Sequence, residues 1–157
     1  MTATKVIGES VKQTNRTFIK SYVEDYAKAI TENYRRYHLN TLNGNLHGNY
    51  PEYAKQQLAE IENGTANLMK FKVYSGKRYY KIVQQEFETW EKSRNYGKYA
   101  DGSVHCFVDK ETGDVYKPAS WSAPAKHIRF SFQNEADLRF LLNPDNVGWA
   151  GGYLYLR

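Results

Sequence analysis

The residues of this chain best suited to chemistry are cations interleaved with aromatic rings. From Leu68 to Gln84, Met69, Phe71, Val73, Tyr80 and Ile82 alternate with Lys70, Lys72, Tyr74, Tyr79 and Lys81. In an extended chain successive side chains point to opposite faces, so one face is apolar and the other carries cations and rings. Lysine and arginine neutralise phosphates and exposed rings stack on bases, so such a face suits a phosphate-bearing ligand. Arg94, Trp121, Lys126 and Arg129 add the same residue types, with Lys77, Arg78, Lys98 and Lys117 as further contributors. The candidate ligand-binding set is therefore Lys70, Lys72, Tyr79, Lys81, Arg94, Trp121, Lys126 and Arg129. No RNP signature or other nucleic-acid module accompanies it. A surface rich in Tyr, Trp and Arg would also serve a protein partner or a second copy of the chain.

Other constellations are sparse. His38, His47, His105 and His127 lack the HxxxH spacing of a metal site, and no CxxC accompanies them. Cys106 follows His105 on an alternating stretch, which predicts opposite faces and excludes a dyad; Cys106 reads as a small core residue. GxxxxGK[ST], GxGxxG and GxSxG are absent, and Glu86, Glu88 and Glu91 read as a solvated face. Arg35, Arg36 and His38 suit the C-terminus of a helix. The reading leans to a protein that is not an enzyme and uses no cofactor or metal, with a nucleotide-acting enzyme as the residual alternative.

Composition bounds these readings. A chain of 157 residues, 41% hydrophobic and 25% charged, fits one globular domain over residues 1–157. Its 14 tyrosines suit half-buried faces and interfaces, because the ring is apolar and the hydroxyl is not. Lys and Arg outnumber Asp and Glu by 22 to 17, a net +5 that mildly favours anionic partners. One cysteine excludes an intrachain disulfide. No run of apolar residues is long enough to cross a membrane, and MTATKVIGES lacks the apolar core of a signal peptide. A cytoplasmic location is the expectation.

The elements that must position these residues follow in order. Residues 1–14 read as a polar lead-in. Phe18, Tyr22, Tyr26, Ile30 and Tyr34 predict a helix from Asn15 or Thr17. Asn40 to Asn49 reads as a loop, and Pro51 to Gly64 as a second helix. A hairpin follows, with its tight turn at Ser75-Gly76. Residues 85–101 are ambiguous: Phe87 and Trp90 have the spacing of one helical turn, and a loop follows. Val104 to Val108 and Val115 to Lys117 form a second hairpin about Asp109–Gly113, with Gly113 in a left-handed conformation. Ile128, Phe130 and Phe132 predict another strand, Asn134 to Leu142 a short helix, and Tyr153 to Arg157 a terminal strand entered through Gly148, Gly151 and Gly152. The sum is an α+β fold, helical over 15–64 and mainly β over 68–157. It has a single antiparallel sheet of five to six strands, with two N-terminal helices and one short C-terminal helix packed on one face.

The segments RYYKIV (78–83), SVHCFVDKETGDVYKPASWSAPAK (103–126) and WAGGYLYLR (149–157) resemble a group of small uncharacterised proteins encoded by tailed bacteriophages. The resemblance rests on Val104 to Asp109, Thr112 to Lys117, Ala119 to Trp121 and Ala123 to Lys126. It implies a viral protein in a bacterial cytoplasm and transfers no catalytic residue. The leading expectation is a non-enzymatic, phage-encoded binding protein for nucleic acid or a nucleotide signal, the latter as counter-defence. The alternative is a virion structural or assembly protein with a Tyr-rich subunit interface.

Overall fold

The computed structural model describes the backbone of residues 2–156 and the side chains of residues 17–156. Helix α1 spans Thr2–Asn45 and α2 Pro51–Asn63. Strands β1 (Lys70–Ser75), β2 (Tyr79–Phe87), β3 (Tyr99–Asp109), β4 (Asp114–Tyr116) and β5 (Phe130–Ser131) follow, then α3 (Glu135–Leu141) and a 3-10 turn over Gly152–Leu154. The strands pair antiparallel in chain order, β1-β2-β3-β4-β5. This is the expected α+β architecture, with five strands.

Helix α1 is longer than its apolar stripe predicts, covering residues 2–14 of the stretch read as a lead-in, whose first residue lies outside the described ones, and Asn40–Asn45. No proline precedes Pro51, and a glycine inside a helix costs only about 1 kcal/mol, so Asn43-Gly44 does not stop it. Leu42, almost fully buried in the last turns, rewards the extension. The buried line on α1 is Ile19, Val23, Tyr26 and Ile30. Phe18, expected inside, is 54% exposed and stacks on Tyr22, because Ile19 takes the inward position. Helix α2 packs on α1, with Ala54 buried and Gly64 closing it in a left-handed conformation (φ 74°).

The α1 line meets Phe71, Ile82, Cys106, Val108 and Val115 from one face of the sheet; Phe132, Leu141, Val147 and Leu154 close the same cluster. Each fully buried Val, Leu or Ile contributes about 1.5–3 kcal/mol relative to exposure. Asn134 caps α3 by accepting from the Asp137 N–H at 3.0 Å. Helix α3 lays Phe140 flat on Phe130 of β5, ring centroids 5.1 Å apart. The second face of the sheet stays clear of this cluster.

Local departures from the predicted elements have physical causes. The first hairpin turns at Lys77-Arg78 rather than Ser75-Gly76, with the Gly76 N–H donating to the Tyr79 carbonyl at 2.9 Å. Residues 85–101 resolve into the end of β2, a loop and the start of β3; Phe87 packs edge-on to Tyr99 and Trp90 stands 63% exposed. Gly113 is left-handed as expected, at φ 74°. The third predicted strand shrinks to Phe130–Ser131 because His127 adopts φ 74°, which breaks extended pairing and leaves Ile128 in solvent. The terminal strand does not form: Gly151 at φ 82° turns the chain into the 3-10 turn, and Tyr153 enters the interior.

A bulge in β3 overturns one inference about neighbouring residues. Ile82 pairs with Cys106 and Val83 with Val104, so His105 is an extra residue in its strand. His105 and Cys106 are both buried, although regular alternation would have parted them.

Candidate functional site

The register of β1, β2 and β3 decides which side chains share the second face. Lys70 pairs with Gln85, which pairs with Asp101; Lys72 pairs with Val83. Tyr74 pairs with Lys81, which pairs with Phe107, and Tyr79 pairs with Asp109. Paired residues project to the same side, so Lys70, Lys72, Tyr74, Tyr79 and Lys81 lie together opposite α1. The sequence-predicted sheet residues are thus assembled on one surface.

The loop after β4 folds over this surface. Pro118 bridges to Pro124, the Ala119 N–H donates to the Ala123 carbonyl at 2.9 Å, and Ser120 Oγ accepts from the N–H groups of Ser122 and Ala123. This tight turn delivers Trp121 to Lys81. The ammonium sits 4.1 Å from the ring centroid and donates to the Trp121 carbonyl at 3.0 Å. Trp121 remains 46% exposed and lines the cleft beside Lys81. A cleft of about 340 Å³ lies between this loop and the hairpin tip, lined by Tyr74, Lys77, Arg78, Tyr79, Asp101 and Trp121 among others.

Cations and rings on this face come in pairs. Lys70 lies 3.9 Å over Tyr99, Lys72 4.8 Å over Tyr74, and Arg78 5.1 Å over Tyr79. Each such contact contributes about 0.5–1 kcal/mol at an exposed site. Tyr79 is further held edge-on by Phe107 and Tyr116. At the tip, Arg78 Nε lies 3.5 Å from the buried Asp109 carboxylate, which also accepts the N–H groups of Glu111 and Thr112. Lys110 donates to Ser75 Oγ at 2.6 Å, closing the tip against the next turn.

Asp101 is the carboxylate within the cleft. It accepts from Gln85 Nε2 at 2.7 Å and from the Tyr74 hydroxyl at 2.8 and 2.9 Å. The Gln85 bond, then the Tyr74 bond and the Lys72 and Lys81 charges, hold its carboxyl below the ordinary range against some desolvation. Donating to that carboxylate raises the Tyr74 hydroxyl in turn. Sequence reasoning missed Asp101 because the ambiguous 85–101 stretch hid the start of β3.

The remaining predicted residues lie elsewhere. Arg94 sits exposed on the 88–98 loop and does not line the cleft. Lys126 is exposed beyond the Trp121 turn. Arg129 is turned to the backbone: it donates to the carbonyls of Leu154, Lys126 and His127 at 2.6–2.7 Å. A guanidinium so engaged braces the chain, and Arg129 does not line the cleft.

A second polar cluster lies inside the protein. Tyr153 Oη is 2.5 Å from Tyr26 Oη and 2.7 Å from His105 Nε2. Cys106 lies beside Tyr26, and the Trp149 backbone lies near the His105 ring. Burial pushes His105 down to about 4 and the Cys106 thiol up to about 12. At neutral pH the cluster is therefore uncharged, without thiolate or imidazolium, and ties α1, β3 and the C-terminal turn together. Among the described residues, no group of His, Cys, Asp and Glu could hold a metal ion, and no helix is long and apolar enough to cross a membrane.

No curated protein and no solved structure matches the chain. A family model matches residues 6–156, and by that match the chain belongs to DUF7717, a family of unknown function.

Proposed function

We propose that this chain is a non-enzymatic, phage-encoded binding protein that engages a phosphate-bearing ligand on the second face of its sheet. The observation that carries the reading is the strand register, which gathers Lys70, Lys72 and Lys81 on one surface, with Lys81 beneath Trp121. The hairpin tip adds Lys77 and Arg78 at the mouth of the same cleft. Clustered cations attract polyanions, and rings beside them give bases a surface to stack on. The phage assignment rests on the hairpin and C-terminal segments described above, and with it goes a bacterial cytoplasm as the place of action.

The test is binding of labelled oligonucleotide, nucleotide and inorganic polyphosphate as salt is raised. The reading expects affinity that falls steeply with salt and drops when Lys72 and Lys81 are both replaced by alanine. Indifference to salt and to both substitutions would sink it. A second reading, a virion or assembly protein, draws on the exposed Tyr37, Tyr50 and Tyr53 of the helical layer. Mass spectrometry of purified particles tests that reading; absence of the chain there would remove it.

A further inference from the structure

We propose that the ligand of this face is single-stranded nucleic acid, laid along the strands with its bases on Trp121 and neighbouring rings and read with little regard to sequence. The inference rests on the anion-binding reading above and narrows it to one chemical class.

The first argument is distribution. A site for one phosphate group needs donors converging on a point, and here they do not converge. Lys70, Lys72, Arg78 and Lys81 are spread over the face, and each is matched with its own ring, Tyr99, Tyr74, Tyr79 and Trp121. A strand rises about 3.3 Å per residue, so the run from Tyr79 to Gln85 alone is about 20 Å long. Repeated cation and ring over that length match a polymer that itself repeats phosphate and base, at about four nucleotides per compact site.

The second argument is access. Trp121 carries the Lys81 ammonium over its ring and is still 46% exposed, so ring surface remains for a base. Only a base free of its own stack can lie flat there, which favours a single strand over a duplex. The third argument is the lack of free readers. Asp101 and Gln85, polar side chains in the middle of the face, bond to each other and to Tyr74. Base edges would find few unspent partners, so stacking and charge dominate.

The experiment is fluorescence anisotropy on the full chain with labelled oligothymidylates of about two to about twelve nucleotides, bracketing a compact site. A duplex of matched length, a nucleoside triphosphate and inorganic polyphosphate serve as competitors. Affinity should rise with length and level off near about four to six nucleotides, with a log–log salt slope of about −0.7 per phosphate contacted. Trp121→Ala should weaken the oligonucleotide about tenfold or more and leave polyphosphate affinity within about twofold, since only bases use the ring. Trp121→Phe should restore most of the loss, and circular dichroism melts confirm that both variants fold. Equal competition by duplex or by triphosphate, or equal loss of polyphosphate binding in Trp121→Ala, would overturn the single-strand inference while leaving the anion reading intact. Binding of none of these polyanions would remove both.

Discussion

Lowering the pH toward about 4 should unfasten the buried cluster around His105. In the folded protein His105 is held neutral, its protonation pushed down from 6.5 to about 4 by burial. In the unfolded chain the ring regains its ordinary affinity for protons. Between those two values the unfolded state binds a proton that the folded state refuses, so stability rises with pH there and falls as acid is added. The contribution is fully present above 6.5 and is lost progressively down to about 4. Each unit of difference corresponds to about 1.4 kcal/mol, so the whole window removes about 3 kcal/mol, a large share of a domain's usual 5–15 kcal/mol. The assay is urea unfolding at closely spaced pH values for the wild type and His105→Gln, whose side chain does not titrate. The variant starts less stable, yet its curve should be flatter across the window by about 3 kcal/mol in total. Parallel curves would refute the reasoning, because they would mean that the folded protein takes up the same proton without penalty. Asp101 does not blur the result: its depressed carboxyl withdraws stability chiefly at the acid end of the window and below, and does so alike in both proteins.

The same geometry sets further expectations. Tyr153→Phe strips the hydroxyl that joins Tyr26 to His105, leaving buried polar atoms short of a partner; chemical denaturation should show a loss of about 1–3 kcal/mol. Gly113→Ala forces a Cβ into a left-handed residue and to within 3.1 Å of Phe132 Cβ, so the melting temperature should fall by several degrees, for a cost of about 1–2 kcal/mol or more. Asp101→Asn keeps an acceptor for Tyr74 while removing a negative charge beside Lys72 and Lys81; oligonucleotide affinity at low salt should rise a few-fold, by about 1 kcal/mol at most. Weaker binding by that variant would show that the carboxylate itself touches the ligand.

The strands were readable where a single physical signal acted alone. Alternation over 68–84 placed Lys70, Lys72 and Lys81 on one face, because period two survives any tertiary context that keeps the strand regular. Gly113 was readable for a similar reason, since its turn demands a left-handed residue. What failed depended on partners distant in sequence. The bulge that turns His105 inward exists because Tyr153, 48 residues on, offers it a hydroxyl. The 3-10 turn replaces the terminal strand because Tyr153 is worth more inside than alternating with Leu154 and Leu156 along an edge. Phe18 gave way to Ile19 by a rotation of α1 that only the opposing sheet could set. On the candidate site, a guanidinium bonded to three carbonyls looks the same in a sequence as a free one, so the engagement of Arg129 is not legible there, and Asp101 is hidden by the ambiguous stretch that ends on it.

Arg129 also links regions that would otherwise behave separately. It grips the root of the Trp121 loop at Lys126 and His127, and it grips Leu154, the residue after Tyr153. The wall of the cleft and the clasp of the interior therefore share one fastening. Amide exchange should report a common opening for both segments, and replacing the planar fork with lysine should split it in two.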